Sequence, residues 1–337
     1  MKNVVHIGPL ASLGGMSSVI RILAENPPEG WSSDIVDTFS NSGIRAKVVA
    51  WRDARRRIKS LAEKKRIDLA HIHVTHSFSW WRKRDIMNLC DKLGIRIVVH
   101  IHSGKFDTFC RGISGLFVRK EFQKNNRKVV VLEKRWLKSL ESWIPEDSVV
   151  VPNSVDLRRC IFEKKTPSFP LTILMLSRGA KMKGHGFALE VHKLLNTRKI
   201  RSKLIIAGVE RGRFIEEGHS GVDVIGWISE EEKRGLLNEA DFVLSPSEYE
   251  GSSMTVIESI ANGIPCICSP ASAETIGIGS LVINLDNPEK WADKIEELSN
   301  PESYMEIVES LRVQRRRFDV IELKSDWVEI YNNASGK

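Results

Sequence analysis

The chain has 337 residues, 42% of them hydrophobic and 28% charged, and a net charge of +8. That length predicts two domains, and no apolar run approaches the ~20 residues that span a bilayer, which excludes an integral membrane protein. The cysteines at 90, 110, 160, 266 and 268 form no Cys-x-x-Cys pair and read as reduced core residues of a cytoplasmic chain.

In chain order, the start Met1-Lys2-Asn3-Val4-Val5-His6-Ile7-Gly8 is too short in its apolar part for a secretory leader and reads as a buried strand. Further strands are predicted at 68–74, 96–101, 128–132 and 148–152, alternating with amphipathic stretches. The pattern restarts after a polar stretch, with strands at 171–177, 203–208, 222–227, 241–246, 265–269 and 281–285. Short apolar runs between helical stretches are the mark of βαβ units and parallel sheets. The boundary is placed within 153–168, giving domains 1–155 and 156–318 and a closing segment 319–337. Ligands of open α/β sheets sit beyond the carboxyl ends of the strands, so functional residues are sought just after strands.

The first strand leads into Gly8-Pro-Leu-Ala-Ser-Leu-Gly14-Gly15 and then a helix. Glycines there let backbone approach a ligand, and helix amides suit a diphosphate, but the Gly-x-Gly-x-x-Gly of a dinucleotide site is missing. Residues 1–150 carry 27 Lys and Arg against 15 Asp and Glu, so +12 of charge lies there and −4 in the remainder. Arg55, Arg56 and Lys59 form the predicted outer face of one helix, and Trp80 and Trp81 precede Arg82, Lys83 and Arg84. Such a surface is a solvated face or a docking face for anionic headgroups. His71 and His73, and His100 and His102, each alternate along a strand. With no carboxylate ligands nearby they read as core or hydrogen-bonded rings rather than a zinc site, with His102 at a strand's carboxyl end.

In the second half, Leu174-Met-Leu-Ser177-Arg178-Gly-Ala-Lys181-Met-Lys183-Gly184 puts a basic loop after a strand. Two cations there can neutralise a diphosphate leaving group; Lys181 competes with Lys183 for the lysine role. Then Glu250-Gly251-Ser252-Ser253-Met254-Thr255-Val-Ile-Glu258 runs from a strand through a turn into a helix. The free amides and positive macrodipole end of that helix suit phosphate, with two carboxylates flanking it. Val256, Ile257, Ile260 and Ala261 are expected to face the sheet.

The Glu250-x7-Glu258 spacing, followed by Gly263-Ile-Pro265, resembles the signature of the retaining GT-B glycosyltransferases of glycosyltransferase family 4, and the resemblance runs along nearly the whole chain. It implies two Rossmann-like α/β domains whose parallel sheets face each other across a cleft. It implies donor-sugar contact at Glu250, ribose contact at Glu258, phosphate contacts at the amides of Met254 and Thr255 in the Gly251-Ser252-Ser253 turn, and a diphosphate pair in Arg178 and Lys183. It further implies that Gly14 and Gly15 meet the donor and that His102 lies beside the donor sugar. Ser177 stands where the family has glycine, and Asn153-Ser-Val-Asp156 replaces its commoner Asn-Gly-Val-Asp. The closing segment is expected, by family habit, to pack back on the first domain as a helix.

The function implied is retaining transfer from a UDP-sugar or GDP-sugar to a glycan or lipid-linked acceptor, in polysaccharide, O-antigen or glycolipid biosynthesis. No metal and no cofactor is expected, since no Asp-x-Asp follows a strand. The chain is expected in the cytoplasm, with a peripheral seat on the inner face of the plasma membrane as an option. A basic nucleic-acid-binding protein would explain the first half's charge but not the ordered glutamates and glycines. A dehydrogenase is opposed by the missing fingerprint.

Overall fold

The computed structural model describes residues 1–12, 14–162, 166–210, 212 and 220–335. Leu13 of the first turn, 163–165 of the expected linker and 336–337 of the closing segment lie outside the described residues. In chain order the strands are β1 (Lys2–Gly8), β2 (Trp31–Asp37), β3 (Leu69–Val74), β4 (Arg96–Ile101), β5 (Arg127–Val131), β6 (Val149–Val150), β7 (Leu171–Leu176), β8 (Ser202–Ala207), β9 (Val222–Ile225), β10 (Phe242–Ser245) and β11 (Cys266–Cys268). The helices are α1 (Gly15–Glu25), α2 (Gly43–Glu63), α3 (Phe78–Lys92), α4 (Phe106–Cys110), α5 (Ser114–Phe122), α6 (Lys134–Leu140), α7 (His185–Thr197), α8 (Glu230–Glu239), α9 (Met254–Asn262), α10 (Ala273–Ile276), α11 (Pro288–Leu298), α12 (Pro301–Gln314) and α13 (Lys324–Ser335).

Two compact units result, one of Met1–Ser154 with Asp319–Lys337, the other of Val155–Phe318. In the first, a six-stranded sheet has the order β2-β1-β3-β4-β5-β6 with every pairing parallel. All six residues of β3 are buried, as expected of a strand covered on both faces. Trp80, Ile86 and Cys90 of α3 join Ile72, Val99 and Val129 in one core, where each fully buried aliphatic side chain contributes ~1.5–3 kcal/mol. On the other face α13 lies against β3, β4 and β5.

β2 was not anticipated from the sequence. In Trp-Ser-Ser-Asp-Ile-Val-Asp only Trp31 and Val36 are buried, because it is an edge strand with one neighbour, β1. Conversely, the strand expected at 281–285 is absent as such. Gly279–Leu281 form a 3-10 turn, and pairing is reduced to a single bridge between Cys268 and Val282.

The second unit has a five-stranded parallel sheet of order β11-β10-β7-β8-β9. The order reverses between β7 and β10, whose following loops leave the sheet in opposite directions. The carboxyl ends of those two strands are the position where open α/β sheets take ligands. Val256, Ile257, Ile260 and Ala261 of α9 are buried on this sheet, as the periodicity predicts.

Candidate active site

The loops leaving β7 and β10 are tied together at the switch point. The Glu248 amide donates to the Met182 carbonyl at 2.9 Å, and the Thr255 hydroxyl donates to the carbonyl of Leu176, the last residue of β7, at 2.8 Å. Gly184 between them has φ of +75°, and a Cβ there would lie 2.3 Å from the Pro246 carbonyl oxygen. Only glycine combines that left-handed backbone with so close an approach. These ties bring Lys183 to Glu250, with Nζ 2.5 Å from Oε1. Arg178, one turn of chain earlier, is exposed, with no ion pair among the described residues. Lys181 is exposed too.

Helix α9 begins at Met254, with Ser253 as its cap accepting from the Val256 amide. The amides of Met254 and Thr255 belong to the first turn, which lacks intrahelical acceptors, so they point with the helix dipole toward an anion. One turn on, Glu258 is held by Lys233 of α8 at 2.6 Å, and Lys233 also pairs with Glu230 at 2.8 Å. Burial raises the Glu258 carboxyl above its ordinary range, and the Lys233 charge opposes that rise. Sequence reasoning missed Lys233. Its one local signal is the capping box of Ser229 and Glu232, which fixes where α8 starts and so which face Lys233 occupies. His185 was missed as well: its Nε2 lies 2.7 Å from the Ser177 hydroxyl, so the serine that replaces glycine anchors the first residue of α7.

In the first unit, Gly14 caps α1 with φ of +147°, and nothing within 4 Å would meet a side chain there. The demand is on the backbone alone. Gly15 opens the helix, and the turn before it is pinned by Asp37 at the end of β2, whose carboxylate accepts from the Leu10 and Ala11 amides at 2.9 and 3.1 Å.

His102 follows β4 and stands at the mouth of a ladder of histidines on one face of the sheet. Its Nε2 lies 2.9 Å from Nδ1 of His73, whose Nε2 lies 3.2 Å from Nδ1 of His6. A second branch links Tyr331 Oη to His71 at 2.8 Å and His71 to His100 at 3.2 Å. Burial holds His6 and His102 down at about 3, a bond to Asn153 working against that for His102, and it lowers His71, His73 and His100 as well. Burial thus favours the neutral form of all five rings. Two triads, His6/His71/His73 and His73/His100/His102, bring ring nitrogens within 4.8 Å of one another. Within the triads His73 is bonded to His6 and to His102, whereas His71 bonds to Tyr331 and His100 and His100 Nε2 is buried without a hydrogen-bond partner among the described residues.

The basic surface agrees with expectation at the exposed Arg56 and Lys59 and departs from it elsewhere. Lys83 faces inward at 2% exposure, bonded to the Thr38 hydroxyl, and burial followed by the Arg82 charge lowers its ammonium to about 7 against the pull of Asp37. Trp80 is wholly buried. Arg55 pairs with Asp85, which also accepts from the Trp51 indole at 3.0 Å, and Arg56 pairs with Asp53. Among the described residues no helix is long and apolar enough to cross a membrane.

Residues 170–300, which contain the switch-point constellation, match the family model of the glycosyl transferases group 1. EpsF of Bacillus subtilis (strain 168), a glycosyltransferase by name, is 33% identical over 176 residues; the match takes in 50% of this chain and 46% of EpsF. The chain thus spans about half the length of that relative. Among solved structures, sucrose-phosphate synthase from Thermosynechococcus elongatus superposes with a TM-score of 0.77 at 15% identity, over 99% of both chains. HepE of Anabaena, solved with UDP-glucose, superposes with a TM-score of 0.73 at 12% identity, over 99% of this chain and 100% of that one. Those identities speak for the fold. With two parallel-sheet α/β units and these neighbours, the chain has the GT-B fold, and its second unit contains the segment that matches the glycosyl transferases group 1 model.

Proposed function

We propose that the chain is a retaining glycosyltransferase that moves a sugar from a UDP-sugar or GDP-sugar to a glycan or lipid-linked acceptor in polysaccharide, O-antigen or glycolipid biosynthesis. The observation that carries this reading is the meeting of Lys183, Glu250 and the first turn of α9 at the β7–β10 switch point, with Arg178 exposed on the loop that leaves β7. Fixed cations and oriented amides there suit a diphosphate whose charge grows as it leaves. The acceptor oxygen bonds to the anomeric carbon on the face from which the diphosphate departs. The carbon–phosphate-oxygen bond breaks, and the acceptor proton passes to the phosphate oxygen released. No side-chain nucleophile and no metal enter this scheme. Glu250 accepts from sugar hydroxyls, sharing its carboxylate with Lys183, and Glu258 accepts from the ribose. The family resemblance gives Gly14 and Gly15 contact with the donor, and His102, as a neutral ring, a place beside the sugar.

The test is a panel of UDP-, GDP- and other nucleotide sugars, read by thermal stabilisation and by release of nucleotide diphosphate. One donor class should raise the melting temperature, and Arg178→Ala should abolish most of that rise. Stabilisation by no donor, or equal stabilisation of the variant, overturns the reading. A cytoplasmic site of action with a peripheral seat on an anionic membrane belongs to the same proposal, because a lipid-linked acceptor would be met there.

A further inference from the structure

The first unit exposes large apolar side chains that its own packing does not explain. In α2 no residue before Ala54 is buried, and Ile44 and Val49 in its first two turns are 81% and 53% exposed. Phe78 opens α3 at 87% exposure, and Ile113 and Leu116 around the start of α5 stand at 79% and 74%. Single exposed apolar residues are ordinary, but a cluster of this kind marks an interaction surface.

These three places belong to one surface. The Lys47 ammonium of α2 and the Arg82 guanidinium of α3 both lie over the Phe39 ring, 5.1 and 5.9 Å from its centre. Trp81 of α3 meets Phe117 of α5 edge-on at 5.3 Å, and Arg84 lies over both rings at 5.8 and 5.1 Å. The segments 43–52, 78–84 and 111–120 together hold nine Lys and Arg and no Asp or Glu. Lys83 is the one of the nine that faces inward. The neighbouring Asp53 and Asp85 are each tied to an arginine.

We infer that the starts of α2, α3 and α5 form a face that seats on an anionic lipid bilayer, with Ile44, Phe78, Ile113 and Leu116 entering the headgroup region and the cations around them meeting lipid phosphates. The inference rests on the membrane part of the reading above and not on the transfer chemistry. Charge chooses the occupant. A second copy docking by the same face would set cation-rich, carboxylate-free segments against themselves, which is repulsive. A bilayer supplies both phosphate charge and an apolar layer within reach of short insertions. This face keeps Arg82 and Arg84 of the one predicted from sequence and drops Trp80 and Lys83, which point into the core; Arg56 and Lys59 stay exposed on α2 as predicted.

The full chain is sedimented with phosphatidylglycerol vesicles and with phosphatidylcholine vesicles. Binding to the anionic vesicles is expected to exceed that to the neutral ones. In the quadruple variant Ile44→Ser, Phe78→Ser, Ile113→Ser and Leu116→Ser it should fall at least ~10-fold, with an unchanged far-UV spectrum. Three charge changes, Arg45→Gln, Lys47→Gln and Lys120→Gln, should weaken binding at low salt and less so at high salt. Failure of the unmodified chain to bind anionic vesicles at low salt overturns the inference, as does undiminished binding by the quadruple variant. A dimer in the unmodified chain that the quadruple variant dissolves also overturns it, by assigning the face to a second copy. Nucleotide-sugar hydrolysis separates the two readings: vesicle binding without hydrolysis supports the face while removing the transfer chemistry.

Discussion

The ammonium of Lys183 lies 2.5 Å from the carboxylate of Glu250, so two residues that the sequence suggests for adjoining parts of a donor, its diphosphate and its sugar, are partners before any donor arrives. Both side chains are more than four-fifths buried. Each therefore stabilises the other where neither would be well solvated, and a diphosphate would share Lys183 with Glu250.

Replacing Arg178 or Lys183 with alanine should remove about 2–4 kcal/mol of transition-state stabilisation, a fall of at least ~30-fold in kcat/KM. Arg178→Ala should do so without loss of stability, since that side chain is exposed. Lys183→Ala strands the Glu250 charge and should also lower the melting temperature. Steady-state transfer and thermal unfolding of the two variants separate these effects. Near-normal turnover in both folded variants would sink the diphosphate assignment.

Lys233→Met should leave Glu258 without the charge that opposes its raised pKa. A carboxyl whose folded pKa lies above its unfolded value keeps its full stability contribution below the unfolded value, about 4.5, and loses it as pH rises through the folded one. The variant should thus match the parent near pH 4.5 and become less stable than it, by ~2 kcal/mol, at about pH 8. Urea unfolding at the two pH values measures this. A deficit that is the same at both would show that Lys233 acts by packing alone.

The histidine ladder should make the first unit acid-labile. His6 and His102 are held down at about 3, and His71, His73 and His100 are lowered too. Folded rings stay neutral where unfolded ones, at about 6.5, take up protons. Their stability contribution is therefore complete above pH 6.5 and declines as pH falls toward the folded values, by up to ~1.4 kcal/mol per pH unit for each ring. Unfolding from pH 7.5 to 5.5 should show it, and His6→Phe or His71→Phe should flatten the dependence. A flat profile in the parent would contradict the neutral ladder.

Transfer should survive exhaustive treatment with EDTA, because the β7–β10 switch point offers cations and helix amides where other designs place a metal. Initial rates before and after chelation, with Mn²⁺ or Mg²⁺ added back, test it. A loss that either ion restores would require a metal in the mechanism.

The fold was legible in the alternation of short apolar runs with amphipathic stretches, and β3, β4, β7 and β8 fall within a residue or so of where the apolar runs lie. β2 was not, since an edge strand with two buried residues carries no apolar signature. Lys83 shows a different failure. Read as one of three cations after two tryptophans it looks solvated, yet Trp80, Lys83, Met87 and Cys90 recur at helical spacing and all are buried. The spacing held the answer and the composition masked it. At the site, Glu250 and Glu258 were visible because they share one loop and helix, whereas Lys233, 25 residues earlier on α8, meets Glu258 only through tertiary packing.

The first unit is assembled from two stretches of chain separated by the whole of the second. Trp327 and Tyr331 of α13 lie against His71, and Trp327 also lies against His100. On the ribosome, where domains tend to form as they emerge, these histidines wait for a cover that is translated after every residue of the second unit. The second unit, continuous in sequence, needs no such delay. The later-made half of the molecule can thus reach its native state first, while the earlier-made sheet keeps one face wet until α13 emerges.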